Sequence, residues 1–309
     1  MIRRVLLSAS RSETLHQLSV NAPVARSVVK RFIAGDTAPE AVAVAAELAS
    51  AGLMSTIDHL GEDTLTIEQA DAVREAYLEL LAALAATGLG AAAEVSVKLS
   101  AIGQALPRDG VAISTENALL IADAAKSVGT TVTIDMEDHT TTDRTLATVA
   151  ALRAEFPSTG AVLQAYLRRT EADCRDLAGP GSRVRLCKGA YKEPESVAFQ
   201  GRSEVDLSYV RCLKELMAGE GYPMMATHDP RLIEVSEALA VRAGRRPDQY
   251  EYQMLLGVRP DEQRRLAANG EQVRVYVPYG AEWYGYMVRR VAEKPANLAL
   301  LLRSLTSSK

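Results

Sequence analysis

Eight short β-rich runs, separated by stretches of helical character, constrain this chain more than any other feature. The runs are LMSTID (53–58), EVSVKLS (94–100), TVTIDM (131–136), AVLQAYL (161–167), RVRLC (183–187), PMMATH (223–228), YEYQMLL (250–256) and VRVYVP (273–278). Amphipathic segments such as IEQADAVREAYLELLAALAATG and TTDRTLATVAALRAEF lie between them. Strands alternating with helices imply parallel β-α-β units. Eight such units in about 240 residues match the size of a closed (β/α)8 barrel. An open doubly wound sheet is the rival, but it usually carries G-x-G-x-x-G after its first strand, and none stands there. The expected fold class is therefore α/β: a TIM-type barrel over residues 51–309, preceded by an N-terminal helical arm over 1–50. VARSVVKRFIAG in the arm places apolar residues on one face and stops at Gly35. The barrel domain is expected to end in a C-terminal helix, ANLALLLRSL.

Composition narrows the partners. The net charge is −4 with no basic block, which argues against nucleic acid. Cys174, Cys187 and Cys212 are odd in number and too far apart for a C-x-x-C pair. They are expected to be reduced thiols of a cytoplasmic protein. No apolar stretch reaches the ~20 residues of a membrane span, so any membrane association is expected to be peripheral.

Barrel active sites lie at the C-terminal ends of the strands. In this chain those ends carry Asp58, His59, Lys98, Ser100, Asp135, Glu137, Asp138, His139, Gln164 and Tyr166. The later ends carry Arg185, Lys188, Tyr191, Thr227, His228, Asp229, Gln253, Tyr276 and Tyr279. IDMEDH invites a metal, but no H-x-H or H-x-x-x-H spacing supports one, so solvated rim acids and one ion-pairing acid are expected. In RVRLCKGAY, Arg185 is either an interior ion-pair partner or a ligand contact. Lys188 is a surface charge, a partner for something flat or phosphorylated beside Gly189-Ala190, or a Schiff-base lysine. Asp229 before Pro230 makes a helix N-cap.

YMVRRVAE near the C-terminus pairs Tyr286 with Arg289 and Arg290, and Glu293 with either arginine, at helical spacing. Alone it is a salt-bridged surface helix. The preceding VYVPYGAEWYGY holds four of the chain's eleven tyrosines. Aromatic walls beside guanidinium forks suit a small, partly apolar carboxylate.

Taken in order, VSVKLSAIG, IDMED, LQAYL, VRLCKGAY, ATHD, YEYQMLLG, VYVPYG and YMVRRVAEKPAN resemble the proline dehydrogenase family over about residues 94–298. The segment of Tyr276 to Arg290 is similar to the short, monofunctional bacterial group. The resemblance implies oxidation of L-proline to Δ1-pyrroline-5-carboxylate by hydride transfer to N5 of a non-covalently held FAD. It implies that Arg289 and Arg290 grip the proline carboxylate with Lys98, and that Tyr276, Tyr286 and Leu255 box the ring. Arg185 matches an arginine near flavin N5 and Gln164 a glutamine beside the isoalloxazine. Met136, Lys188, Gly189, Ala190, Tyr191, Thr227, His228 and Gln253 match the cofactor cradle, which Arg290 and Glu293 also reach. Asp135 matches an acid that tunes the site, and Glu293 a partner that sets Arg290. Lys192 stands where long bifunctional members carry an aromatic residue after GAY, a departure at the adenine end of the cofactor.

The resemblance further implies a membrane quinone as electron acceptor, at the inner face of the cell membrane. A separate pyrroline-5-carboxylate dehydrogenase is implied for the product, since 309 residues leave no room for that domain. Two competing readings stand beside it: a Schiff-base barrel aldolase using Lys188, and a non-catalytic proline or flavin sensor.

Overall fold

The computed structural model describes residues 31–283, except Glu62, together with Tyr286. Its elements run α1 (Ala38–Ser50), β1 (Met54–His59), α2 (Ile67–Ala85), β2 (Ala93–Val97), α3 (Gly110–Ser127), β3 (Val132–Ile134), α4 (Thr142–Glu155), β4 (Gly160–Gln164) and α5 (Thr170–Asp176). The order continues β5 (Arg183–Cys187), α6 (Arg202–Ala218), β6 (Tyr222–Ala226), α7 (Pro230–Arg242), β7 (Glu251–Leu255), α8 (Pro260–Ala268) and β8 (Val273–Tyr279). Each strand pairs in parallel with the next, and β8 closes on β1 with Thr56 opposite Tyr276. The expected barrel is present, with all eight strands.

Local chemistry explains the helix starts. Thr66 caps α2 through its side chain and Gln69 returns the contact, forming a capping box. Asp229 caps α7 ahead of Pro230, as the sequence suggested. The helix faces that bury Tyr77, Leu80, Leu81 and Leu84, or Tyr209, Cys212, Leu213 and Leu216, pack on the outward strand residues Val95, Val97, Ile134, Leu163, Leu186 and Val275. That layer between sheet and helices is the main apolar core.

In the arm, the helix stops just before Gly35, where the sequence placed its end. Helix ends after Phe32 among the described residues, and the chain then crosses beside the end of β8 before α1 begins at Ala38. The crossing is hydrogen-bonded to the end of β8: Ala34 N–H donates to the Pro278 carbonyl and Gly280 N–H to that of Gly35, both at 2.9 Å. Gly257 is required beneath it, because a Cβ there would lie 2.0 Å from the Arg31 carbonyl oxygen. The expected C-terminal helix lies outside the described residues.

Inside the barrel the strands present polar side chains in layers. On the floor, Glu94 pairs with Arg183 at 2.7 Å and Glu251 with Arg274 at 2.8 Å. Arg185 and Arg274 also approach Glu94, at 3.7 and 3.8 Å. Burial alone would raise the Glu94 carboxyl, but the surrounding arginines prevail and hold it at about 2.

Candidate active site at the barrel mouth

Strand alternation aims Thr56 and Asp58, Ser96 and Lys98, Asp135, Gln164, Arg185, Gln253 and Tyr276 toward the barrel axis. Arg185 sits at the centre. Its Nε donates to Gln253 Oε1 at 2.5 Å, and one terminal nitrogen donates to Ser96 Oγ at 2.9 Å and Asp135 Oδ1 at 2.6 Å. The other Asp135 oxygen accepts from the Tyr276 hydroxyl at 2.7 Å, and the Arg185 guanidinium lies 5.3 Å from the Tyr276 ring centre. Asp135 thus fixes a cation and an aromatic wall together. Burial, then the Asp135 charge, lifts the Tyr276 phenol far above its ordinary value, so it remains a donor.

Gln253 cannot reverse its amide. Its nitrogen donates to Glu251 Oε1 at 2.6 Å, and a carboxylate can only accept, so its oxygen must face Arg185. The floor layer therefore orients the mouth.

Lys98, just past β2, donates to both Asp58 oxygens at 2.7 Å. Burial, opposed by Lys98, raises the Asp58 carboxyl. Of the acids of IDMEDH, Asp135 is the ion-pairing one and Asp138 is half-buried at the rim, but Glu137 is not a solvated rim charge. Glu137 is buried and accepts from Ser100 N–H at 3.0 Å and Ser100 Oγ at 2.5 Å. Gln164 donates to the Glu137 carbonyl at 2.6 Å, next to Met136, which is buried. Among the described residues, no group of three or more His, Cys, Asp or Glu gathers as metal ligands would.

On the other side of the mouth, Lys188, Gly189, Ala190 and Tyr191 follow β5, and Thr227 and His228 follow β6. Lys188 Nζ lies 2.5 Å from Asp206 and 3.1 Å from Asp229. That is a poor setting for an amine that must attack a carbonyl. Burial pushes the Cys187 thiol up to about 11, so it is no ready nucleophile either. His228 Nε2 accepts from Leu255 N–H at 2.9 Å, which ties the tops of β6 and β7. Leu255, half-buried, ends β7 on the rim.

The structure thus brings Lys98, Asp135, Arg185, Gln253 and Tyr276 to one mouth, with Gln164 and the Lys188–Tyr191 loop beside them. Tyr286 packs with Phe32, Ile33, Leu60, Val258 and Trp283 at the rim. Arg289, Arg290 and Glu293 lie outside the described residues. Sequence reading placed Asp58 at a strand end on the active-site rim, but did not single out Glu94, Glu251 or Arg274 as parts of the site. For the floor charges, the signal was their alternate spacing within strands that helices cover on the outside.

A closed parallel barrel with a cationic and aromatic mouth defines the class as a (β/α)8 barrel enzyme. A profile described as proline dehydrogenase matches residues 41–301, and the chain belongs to the proline dehydrogenase family. Proline dehydrogenase 1 of Bacillus subtilis (strain 168) is 38% identical over 305 residues, spanning 99% of each chain. Proline dehydrogenase of Deinococcus radiodurans is 36% identical over 281 residues, 90% of each. The crystal structure of proline utilization A from Bdellovibrio bacteriovorus, inactivated by N-propargylglycine, superposes with a TM-score of 0.81 at 25% identity. It covers 92% of this chain, and the chain spans about a third (34%) of that longer one. Among the described residues, no helix is long and apolar enough to cross a membrane.

Proposed function

We propose that this chain oxidises L-proline to Δ1-pyrroline-5-carboxylate with a non-covalently bound FAD. The observation that carries the reading is the 38% identity to a proline dehydrogenase across 99% of both chains. The mouth fits it. A flavin nucleotide offers a flat ring and a pyrophosphate, and the residues at hand are an arginine-tyrosine wall, amides and a glycine loop.

Arg185 and Gln164 would flank the flavin ring, and Met136, Lys188, Gly189, Ala190, Tyr191, Thr227, His228 and Gln253 would complete the bed. When bound, FAD supplies the hydride acceptor. Lys98 would meet the substrate carboxylate with Arg289 and Arg290, while Leu255, Tyr276 and Tyr286 would enclose the ring. Asp135 would hold Arg185 and Tyr276 in register, and Glu293 would steady Arg290. Hydride transfer depends chiefly on positioning, which rigid strand ends provide. The cationic Arg185 favours negative charge developing on the ring beside it. Electrons would pass to a membrane quinone from a peripherally associated protein, and the product to a separate pyrroline-5-carboxylate dehydrogenase.

The purified protein should be yellow, and anaerobic L-proline should bleach it. A colourless protein, trapped on its substrate by borohydride through Lys188, would overturn the reading in favour of an aldolase. Bleaching without turnover on a quinone or dye acceptor would make the barrel a sensor.

A further inference from the structure

We propose that Glu193 is a positioning residue for the FAD bed, locking the Lys188–Tyr191 loop against the tops of β3 and β4. The proposal rests on the FAD reading above and assigns a role to a residue that sequence reading passed over.

Glu193 lies in the connection between β5 and α6, and its side chain is only 3% exposed. A carboxylate so buried needs donors, and here they come from two neighbouring strand ends. His139, beyond β3, gives its backbone N–H to Oε1 at 3.0 Å and meets Oε2 through Nδ1. Tyr166, beyond β4, brings its hydroxyl to Oε1 at 3.3 Å. Burial, then the Glu193 charge, raises the Tyr166 phenol, which keeps it a donor.

The same tyrosine fixes the loop. Tyr166 N–H donates to the Lys188 carbonyl at 2.9 Å, and Phe199 N–H donates to the Tyr166 carbonyl at 2.8 Å. Gly189 lies directly on the Tyr166 ring: a Cβ there would stand 2.3 Å from the ring carbons, and φ is +109°. Leu167 and Ala198 add an antiparallel bridge, and Gln200 donates to the Glu193 carbonyl at 3.2 Å. The ring of Tyr166 is thus pressed between Gly189 and the loop's return, and Glu193 holds its far end. Replacing the carboxylate by an amide leaves His139 N–H and Tyr166 only a weaker, neutral acceptor and puts an NH2 group where His139 Nδ1 met Oε2, which loosens the ring under Gly189.

FAD titration of wild-type and Glu193→Gln protein, followed by flavin fluorescence and the shape of the visible absorption band, tests this. The variant should bind FAD about tenfold more weakly, the scale of one charge-assisted hydrogen bond, with an altered band. The proline KM in excess FAD should stay within roughly twofold of wild type, because the substrate contacts lie elsewhere. Unchanged FAD affinity and band shape would overturn the proposal. If Glu193→Gln does not fold, Tyr166→Phe removes the hydroxyl alone. A loss of about threefold or more in its FAD affinity supports the role, and wild-type affinity overturns it. A wild-type protein that binds no flavin sinks the underlying FAD reading. Wild-type binding with unaffected variants sinks only the role of Glu193.

Discussion

Asp58, at the end of β1, receives the Lys98 ammonium on both carboxylate oxygens at 2.7 Å, across two neighbouring strands of the barrel. The pair is nearly dry, with Asp58 1% and Lys98 12% exposed. Removing one member of a buried ion pair strands the other charge and costs about 3–5 kcal/mol, whereas removing both costs far less. Asp58→Asn should therefore destabilise the fold more than Asp58→Asn combined with Lys98→Met. Denaturant midpoints of the wild type, both single variants and the double variant complete the cycle. A double variant whose loss equals the sum of the two single losses would show that the pair contributes no coupling.

Glu94 makes the barrel floor acid-sensitive. Its carboxyl titrates at about 2 in the folded chain against an ordinary 4.5, because Arg183, Arg274 and Arg185 outweigh the effect of burial. A depressed acid contributes stability that is present above the unfolded value and lost as pH falls toward the folded one. The stability gap between wild type and Glu94→Gln should be full above pH 4.5 and shrink as pH approaches 2. Asp58 carries the opposite sign. Its raised carboxyl contributes stability below the unfolded value, and this is lost as pH rises through the folded one. Unfolding free energies measured across acid pH separate the two, since only the Glu94→Gln difference follows the first course.

Tyr276→Phe removes the 2.7 Å donor to Asp135 but keeps the ring beneath Arg185. A hydrogen bond to a charged group contributes on the order of 1.5–3 kcal/mol. If Asp135 holds the wall and the cation in register, kcat/KM for proline should fall on the order of 10–100-fold. Arg185→Lys should fall further, because a point ammonium cannot span Gln253, Ser96 and Asp135 together. Steady-state kinetics at saturating flavin reads both effects, and a Tyr276→Phe enzyme with wild-type kcat/KM would leave the hydroxyl without a role.

The strand-helix alternation carried the fold because the outward strand faces are covered by helices, so residues such as Val95, Val97, Val273 and Val275 recur at every second position. Boundaries shifted where polar loop residues extended a run: Lys98 and Ser100 were assigned to a strand that ends at Val97, and Tyr166 to one that ends at Gln164. Arg185 was left open between an interior ion-pair partner and a ligand contact, and its bonds to Asp135, Ser96 and Gln253 occupy the interior. The partners were less legible. Asp58 and Lys98 are 40 residues apart, and Glu94 meets Arg183 across 89. Pairings of that span depend on barrel closure and leave no local pattern. Glu137 looked like a rim acid because its partner Ser100 lies 37 residues away. The arm's helix stop was legible from Gly35, but the hydrogen bonds that tie the following chain to Pro278 and Gly280 span more than 240 residues and were not.

That crossing gives the arm a place in the site. Phe32 and Ile33, 8% and 3% exposed, cluster with Leu60 and Tyr286, and Val258 and Trp283 close the group. The Arg31 guanidinium stands 5.4 Å from the Phe32 ring centre, and Arg31 Nε donates to the Gly257 carbonyl at 3.1 Å, pinning the crossing over the end of β7. If Tyr286 walls the proline ring, its position depends on this packing. Phe32→Ala opens a cavity beneath it; such a truncation costs about 3–5 kcal/mol in an enclosed core, and this rim site should fall at the low end. The wall would then be free to move away from the substrate, so the proline KM should rise several-fold while FAD affinity holds, because the proposed flavin bed would lie on the tops of β3 to β7. Phe32→Leu refills most of the cavity and should restore KM. The measurement is KM and kcat for the two variants beside their thermal midpoints. A Phe32→Ala enzyme that loses stability but keeps the wild-type KM would confine the arm to holding the barrel closed.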